Sequence, residues 1–357
     1  MSGRRVSLLL VAGIALVAFA IWLSSRRHLE RTVTAGDLVL PGLEHSLNSV
    51  TSVRLRRGDG THATLNKEDS GWQVVERSWP GDVSKLRKLL LDLGALNIVE
   101  EKTRLPANYP ALGVEDVNSP KASGTLIEII APTTRWAIII GKSSSGKSGY
   151  VRLAAAPQSL LAAPLLSVDA DPKGWLVREL IDLPAKRVRE VEEKPASGPA
   201  FRAARDKPDG EFAVSPLPKG RELFGPGAAE PLAGALSALM LEDVHKGAPP
   251  AGAALSHVVF RTFDGLEVEL AGRKDGAHAL VALSAHATQP PSAPEAEKLN
   301  TRSQGWEFEV PDYKYNALFT PLEDLLKKPP PLPPKKAASP AGKSSPAAAP
   351  TPTVPSR

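Results

Sequence analysis

The chain has 357 residues, 42% of them apolar, which is enough to bury two cores of ordinary size. It contains no cysteine, which excludes disulfides, thiolate metal sites, thiol nucleophiles and a lipid-modified cysteine anchor. The net charge of +5 is carried by the ends: residues 1–31 hold +4 and residues 327–357 hold +6, leaving −5 for the body, so a nucleic-acid partner is not expected.

Residues 6–23, VSLLLVAGIALVAFAIWL, form an 18-residue run without charge between Arg4-Arg5 and Arg26-Arg27, long enough to cross a bilayer as a helix. The rival is a cleaved signal peptide, because Ala18-Phe19-Ala20 fits a small-x-small site. Ile21-Trp22-Leu23 prolongs the apolar run beyond that site and favours an uncleaved anchor. Arg4-Arg5 also loosely echoes a twin-arginine signal. Both flanks are basic, so charge does not set the orientation. Short N-terminal anchors of this form usually export the remainder of the chain, which places the body in the periplasm.

The expected organisation is an anchor with its flanks over 1–31, a polar stalk over 32–43, a first lobe over 44–184, a second over 185–328 and a disordered Pro/Ala/Lys tail over 329–357. The tail has no acid and almost no large apolar side chain, so no core compensates the entropy of ordering it.

The lobes read as two copies of one α+β plan. In the first, alternation and turn residues predict strands at 50–57, 61–67 and 71–76. Leu86, Leu89, Leu90, Leu93 and Leu96 then mark an amphipathic helix, and strands are expected after it at 125–130, 135–140 and 150–153. In the second, strands are expected at 187–192, 201–205 and 210–214. A helix from Pro231 would carry Leu232, Leu236, Leu239 and Met240 on one face, succeeded by strands at 257–262, 266–270 and 279–283. Gly71 then matches Gly210, Leu96 matches Leu239, Gly141 matches Gly272 and Asp182 matches Asp324. The stretch 171–184, DPKGWLVRELIDLP, joins the copies as a short helix burying Trp175, Leu176 and Leu180. Residues 194–227 and 284–297 read as surface excursions.

Gly141-Lys-Ser-Ser-Ser-Gly146-Lys147-Ser148 satisfies the phosphate-loop pattern G-x-x-x-x-G-K-[ST], whose chemistry needs a helix N-terminus directly after the loop. Here a β-prone alternation comes next, Tyr150-Val151-Arg152-Leu153, and a hairpin turn is expected instead. Ser144 and Lys147 have the spacing of a serine-lysine pair but lie in the same turn, without the companion motifs. The seven histidines, at 28, 45, 62, 245, 257, 278 and 286, show no metal-binding spacing and read as scattered. The pairs Glu100-Glu101, Glu115-Asp116 and Glu192-Glu193 read as solvated charges. Trp72, Trp136 and Trp175 read as core anchors rather than a glycan or peptide platform, and Trp306 less decidedly so. No catalytic, cofactor-binding or metal-ligating residue is assigned.

Several stretches together resemble a known family: LPGL at 40–43, VTSVRL at 50–55, GWQV at 71–74, LLLDLGALNIVEEKT at 89–103, YPALGVED at 109–116, GYVR at 149–152 and 171–184. The chain resembles the bacterial envelope proteins called domain of unknown function 4340, well over about residues 40–190 and more loosely in the second lobe. That resemblance implies one N-terminal membrane segment and association with ABC-type export or gliding-motility auxiliary components. It supplies no catalytic residues. The expectation is therefore a single-pass protein of the inner membrane with a periplasmic body, a non-enzymatic accessory to an ABC-type complex. The alternatives are an envelope hydrolase with a site assembled by folding, and a cell-wall-binding structural protein using the basic tail. Converging histidine and carboxylate side chains would favour the hydrolase.

Overall fold

A computed structural model describes residues 35–328 apart from Ser145. The predicted span at 6–23 and the tail from 329 lie outside the described residues, none of whose helices is long and apolar enough to cross a membrane.

Alternating apolar and polar positions build two antiparallel sheets. The first contains Ser52–Arg57 (β1), His62–Glu68 (β2), Gly71–Val74 (β3), Trp79–Pro80 (β4), Asn97–Glu101 (β5), Thr125–Ile130 (β6), Arg135–Ser143 (β7), Gly149–Leu153 (β8) and Ser159–Ala163 (β9), in the order β4-β3-β2-β1-β6-β7-β8-β9-β5. A two-stranded ribbon pairs Glu179–Ile181 (β10) with a strand 58 residues on, at Leu239–Met240 (β14). The second sheet holds Val188–Lys194 (β11), Phe201–Ala204 (β12), Ala213–Ser215 (β13), Asp243–Lys246 (β15), Ser256–Thr262 (β16), Leu266–Asp275 (β17), His278–Ala287 (β18) and Trp306–Glu309 (β19). Its order is β13-β12-β11-β16-β17-β18-β19-β15. Every pairing in the first sheet except that of the two-residue β4 has its counterpart in the second.

The helix Val83–Gly94 (α1) buries Leu86, Leu89, Leu90 and Leu93 against the first sheet, as the leucine spacing predicts. Asp82 caps it, its side chain accepting from the Lys85 amide at 3.0 Å. The match of Gly141 with Gly272 has a packing cause. A Cβ at Gly141 would strike the Leu112 carbonyl oxygen, and one at Gly272 would strike the Phe319 ring.

Four expectations are corrected. The helix from Pro231 is a single turn, Glu230–Ala233: Leu239 instead pairs with Ile181, and Ala238 before it takes φ 46° with its amide donated to Asp182 Oδ1 at 2.8 Å. The second sheet's longest helix is Ala293–Ser303 (α2), beginning inside the stretch read as a loop. Only Ala296 and Ser303 are buried on it, so it has little leucine periodicity; Asn300 ties it to β18 through the backbone of Ala285, at 2.8 and 2.6 Å. The stalk is folded from Gly36 onward, because Val39, Leu40 and Leu43 are buried and Val39 donates to the Leu96 carbonyl at 2.8 Å.

The fourth correction concerns the junction, which is a 3-10 turn at Pro172–Trp175 leading into β10 rather than a helix. Trp175, Leu176 and Leu180 are nevertheless buried. Its first half closes the first lobe, with the Asp82 amide donating to the Trp175 carbonyl at 2.7 Å and that of Val177 to Pro80 at 2.9 Å. Its second half bonds to the second lobe, with Leu241 donating to Arg178 at 2.8 Å and Leu183 to Leu236 at 3.1 Å.

Candidate functional site

The densest polar grouping across the junction grows from strand register. Asp243 on β15 sits opposite Glu309 on β19, and Leu280 on β18 sits on the other side of Glu309. Side chains two apart on a strand share a face, so Asp243, His245, Glu309 and His278 come to one side of three adjacent strands. Among the described residues, ligand-capable atoms of Asp243, His245 and Glu309 lie within 4.8 Å of one another. His278 Nδ1 is 2.8 Å from Glu309 Oε1, and His245 Nε2 is 3.7 Å from Glu309 Oε2.

Two cations from outside the second sheet complete the cluster. Arg77, from the turn before β4, donates to Asp243 with Nε to Oδ1 at 2.6 Å and Nη2 to Oδ2 at 3.0 Å. Lys173, from the junction turn, places Nζ 3.3 Å from Asp243 Oδ2 and 3.7 Å from Glu309 Oε2. Burial alone would raise the Asp243 carboxyl; Arg77, the Val244 amide and Lys173 outweigh it and hold it below the usual carboxylate range. Glu309 is likewise pushed up by burial, and the His278 hydrogen bond and Lys173 bring it below its ordinary value. Burial opposes the Lys173 ammonium, yet Asp243, Glu309 and Asp171 raise its pKa.

Beside this cluster Trp79 joins the two lobes through rings. Its indole is 2% exposed, meets Trp306 and Phe308 edge-on at 5.3 and 5.4 Å, and donates to the Val177 carbonyl at 3.0 Å. Arg302 on α2 lies 5.6 Å from the same ring. The sequence drew attention to neither Trp79 nor Arg77, Lys173, Asp243 and Glu309. β15 and β19 were not foreseen as strands, so nothing brought Asp243-x-His245 beside Glu307-x-Glu309.

The other expected residues fall elsewhere. The phosphate-loop match is the β7–β8 hairpin, with Ser144 donating to the Ser148 carbonyl at 2.9 Å and strand rather than helix after it. Ser144 and Lys147 share that turn. Glu192 is at the surface with Arg261 and Lys194, but Glu193 is 1% exposed, which corrects the reading of both as solvated. Strand alternation sends the two neighbours to opposite faces, and one face is core. Burial pushes the Glu193 carboxyl up to about 9, against a lowering backbone hydrogen bond from Thr320. Glu100 and Glu101 are exposed, and Asp116 holds buried Arg152 at 2.5 Å. Trp136 and Trp175 are buried, whereas Trp72 is half-buried.

Trp72 lines a second feature, a groove of ≈ 400 Å³ between α1 and the start of the first sheet. Leu47, Val50, Leu86 and Leu90 line it with Trp72, and the exposed side chains of Lys67, Arg87 and Leu91 border it.

The family model described as domain of unknown function, DUF4340, matches residues 72–256. The chain belongs to the DUF4340 family. The match runs from β3 to the first residue of β16, so DUF4340 here straddles both sheets and contains the entire junction with Arg77, Lys173, Asp243 and His245. It extends beyond the stretch near residue 190 where the resemblance weakens, and it begins after LPGL and VTSVRL. Two motifs of the resemblance inside it form one structural unit in this DUF4340 chain. Arg152 of GYVR donates to the Val114 carbonyl at 2.8 Å and stacks 4.7 Å from the Tyr109 ring of YPALGVED. No curated protein and no solved structure matches the chain.

Proposed function

We propose that the chain is a membrane-anchored accessory in the periplasm, single-pass in the inner membrane, which holds an integral membrane protein of an ABC-type transport complex. The observation that carries this reading is the groove beside Trp72. Val83 and Leu91 on α1 remain 48% and 52% exposed at its edge, and Arg87 lies between them at helical spacing. Surface of this kind, apolar and bordered by cations, suits an apolar segment with acidic flanks.

Its position argues for a membrane-protein occupant. The groove wall begins at Leu47, 24 residues after Leu23, the end of the predicted span. Tethering that close to a bilayer raises the effective concentration of membrane partners, so weak contacts suffice. The common strand order supports a duplicated origin for the body, with the groove specific to the copy nearer the anchor.

Site-specific photocrosslinking from Leu91 in intact cells tests the reading, with Lys147 as the control position. Capture from Leu91 of an integral membrane protein identified by mass spectrometry as a transporter component is expected, and none from Lys147. Capture of peptidoglycan alone, or equal capture from both positions, defeats it.

The convergence of His245 and His278 on Glu309 favours a second reading, an envelope hydrolase. Against it, Arg77 and Lys173 already neutralise the two carboxylates, and the groove beside Trp72 does not reach them. Turnover of an envelope substrate that is lost on His278→Ala would establish it.

A further inference from the structure

We propose that His245, His278 and Glu309, supported by Asp243, form a binding site for a divalent first-row transition-metal ion such as zinc, with the ammonium of Lys173 as its built-in competitor. The site is independent of the accessory reading.

The donor set fits that class of ion. Two imidazoles and a carboxylate are the ligands borderline-soft ions prefer, and three protein ligands leave room for a further donor. Glu309 is the centre of the set. It touches His278 through Oε1 at 2.8 Å, while Oε2 is buried without a hydrogen-bond partner and faces His245 and Lys173, each at 3.7 Å. A buried carboxylate oxygen without a partner is costly, and a cation satisfies it. Asp243 is held by Arg77, so it supplies charge and an oxygen, Oδ2, on the Lys173 side.

Lys173 explains why the set is not simply an ion pair. Its Nζ lies between Asp243 Oδ2 and Glu309 Oε2, where a metal ion would be drawn by the same two charges. The histidines would be superfluous if neutralisation by lysine were the only purpose, since one lies on each flank of Glu309 and both are about half exposed. Binding therefore exchanges an ammonium for a divalent ion and releases Lys173 from the turn Pro172–Trp175. Metal occupancy is thereby linked to the segment that joins the sheets.

The test uses the full chain in detergent micelles, titrated with cobalt(II) monitored by visible absorption and with zinc(II) by calorimetry. The expected result is one ion per chain, with zinc displacing cobalt. His245→Ala/His278→Ala should abolish that binding while leaving the circular dichroism unchanged, because both side chains are exposed. Lys173→Met, which removes the competitor, should tighten binding by about tenfold or more. Absence of stoichiometric binding in both the parent chain and Lys173→Met overturns the proposal. So does binding that survives loss of both histidines, or that weakens in Lys173→Met.

Discussion

Arg77 and Asp243 lie 166 residues apart in the chain and meet through two near-parallel hydrogen bonds, 2.6 and 3.0 Å long. Asp243 is 2% exposed, so the pair is a desolvated clamp between the first lobe and the edge strand of the second sheet. Removing one partner leaves a buried charge with only Lys173 near it. Arg77→Ala should therefore lower stability by about 3 kcal/mol in urea unfolding at pH 7. The Asp243 carboxyl is depressed in the folded chain, so its contribution is complete above the unfolded carboxylate range and fades as pH falls through the folded value. The difference between parent and Arg77→Ala should shrink accordingly below about pH 4. A difference independent of pH would assign the loss to packing instead.

Trp79 tests the ring contacts separately. Trp79→Ala removes a 2%-exposed indole together with its bond to Val177, and a loss of roughly 3–5 kcal/mol is expected. Because the indole touches both lobes, limited proteolysis should then cut near the junction, at 171–184. An unchanged digestion pattern would mean that the hydrogen bonds of the junction hold the lobes without it.

Glu193 gives the opposite pH signature. Its carboxyl is raised to about 9 in the folded chain, so between the unfolded carboxylate range and that value the folded state binds the extra proton. Stability from this group is full below the unfolded value and declines as pH rises, on the order of 1.4 kcal/mol per pH unit. Glu193→Gln should flatten that decline and be the more stable protein at pH 8, read from thermal unfolding at several pH values. Parallel curves for the two proteins would contradict neutral burial of Glu193.

Lys147→Ala should be silent in stability, within about 0.5 kcal/mol, since the residue is exposed in a hairpin turn. Calorimetry with ATP should show the same heats for both proteins. A nucleotide affinity lost in the variant would reinstate the phosphate loop.

The first sheet was legible because its signals are local. Leucines at helical spacing placed α1, and Gly-Trp and Gly-Asp-Gly punctuated strands whose alternation is regular. The second lobe was less so. Leu232, Leu236, Leu239 and Met240 have helical spacing, but Leu239 is taken by a partner 58 residues earlier, a tertiary choice that periodicity cannot see. The cluster around Glu309 was illegible for a related reason. His245 and His278 are brought together by register on short strands, so no sequence spacing records their approach. Trp79-Pro80 forms a strand too short for alternation to mark.

The strand order also determines when each sheet can be completed as the chain is made. β5 ends one edge of the first sheet, yet its partner β9 begins 58 residues after Glu101, at Ser159. β15 likewise waits for β19, with β16, β17 and β18 laid between them. Synthesis therefore passes twice through a stage at which an early strand has emerged and its sole ladder partner has not. Long-range pairing of this kind is slow and leaves strand edges open. A nascent chain arrested after β8 would expose β5, and one arrested after β18 would expose β15, so these two lengths are where a holding chaperone would be needed most.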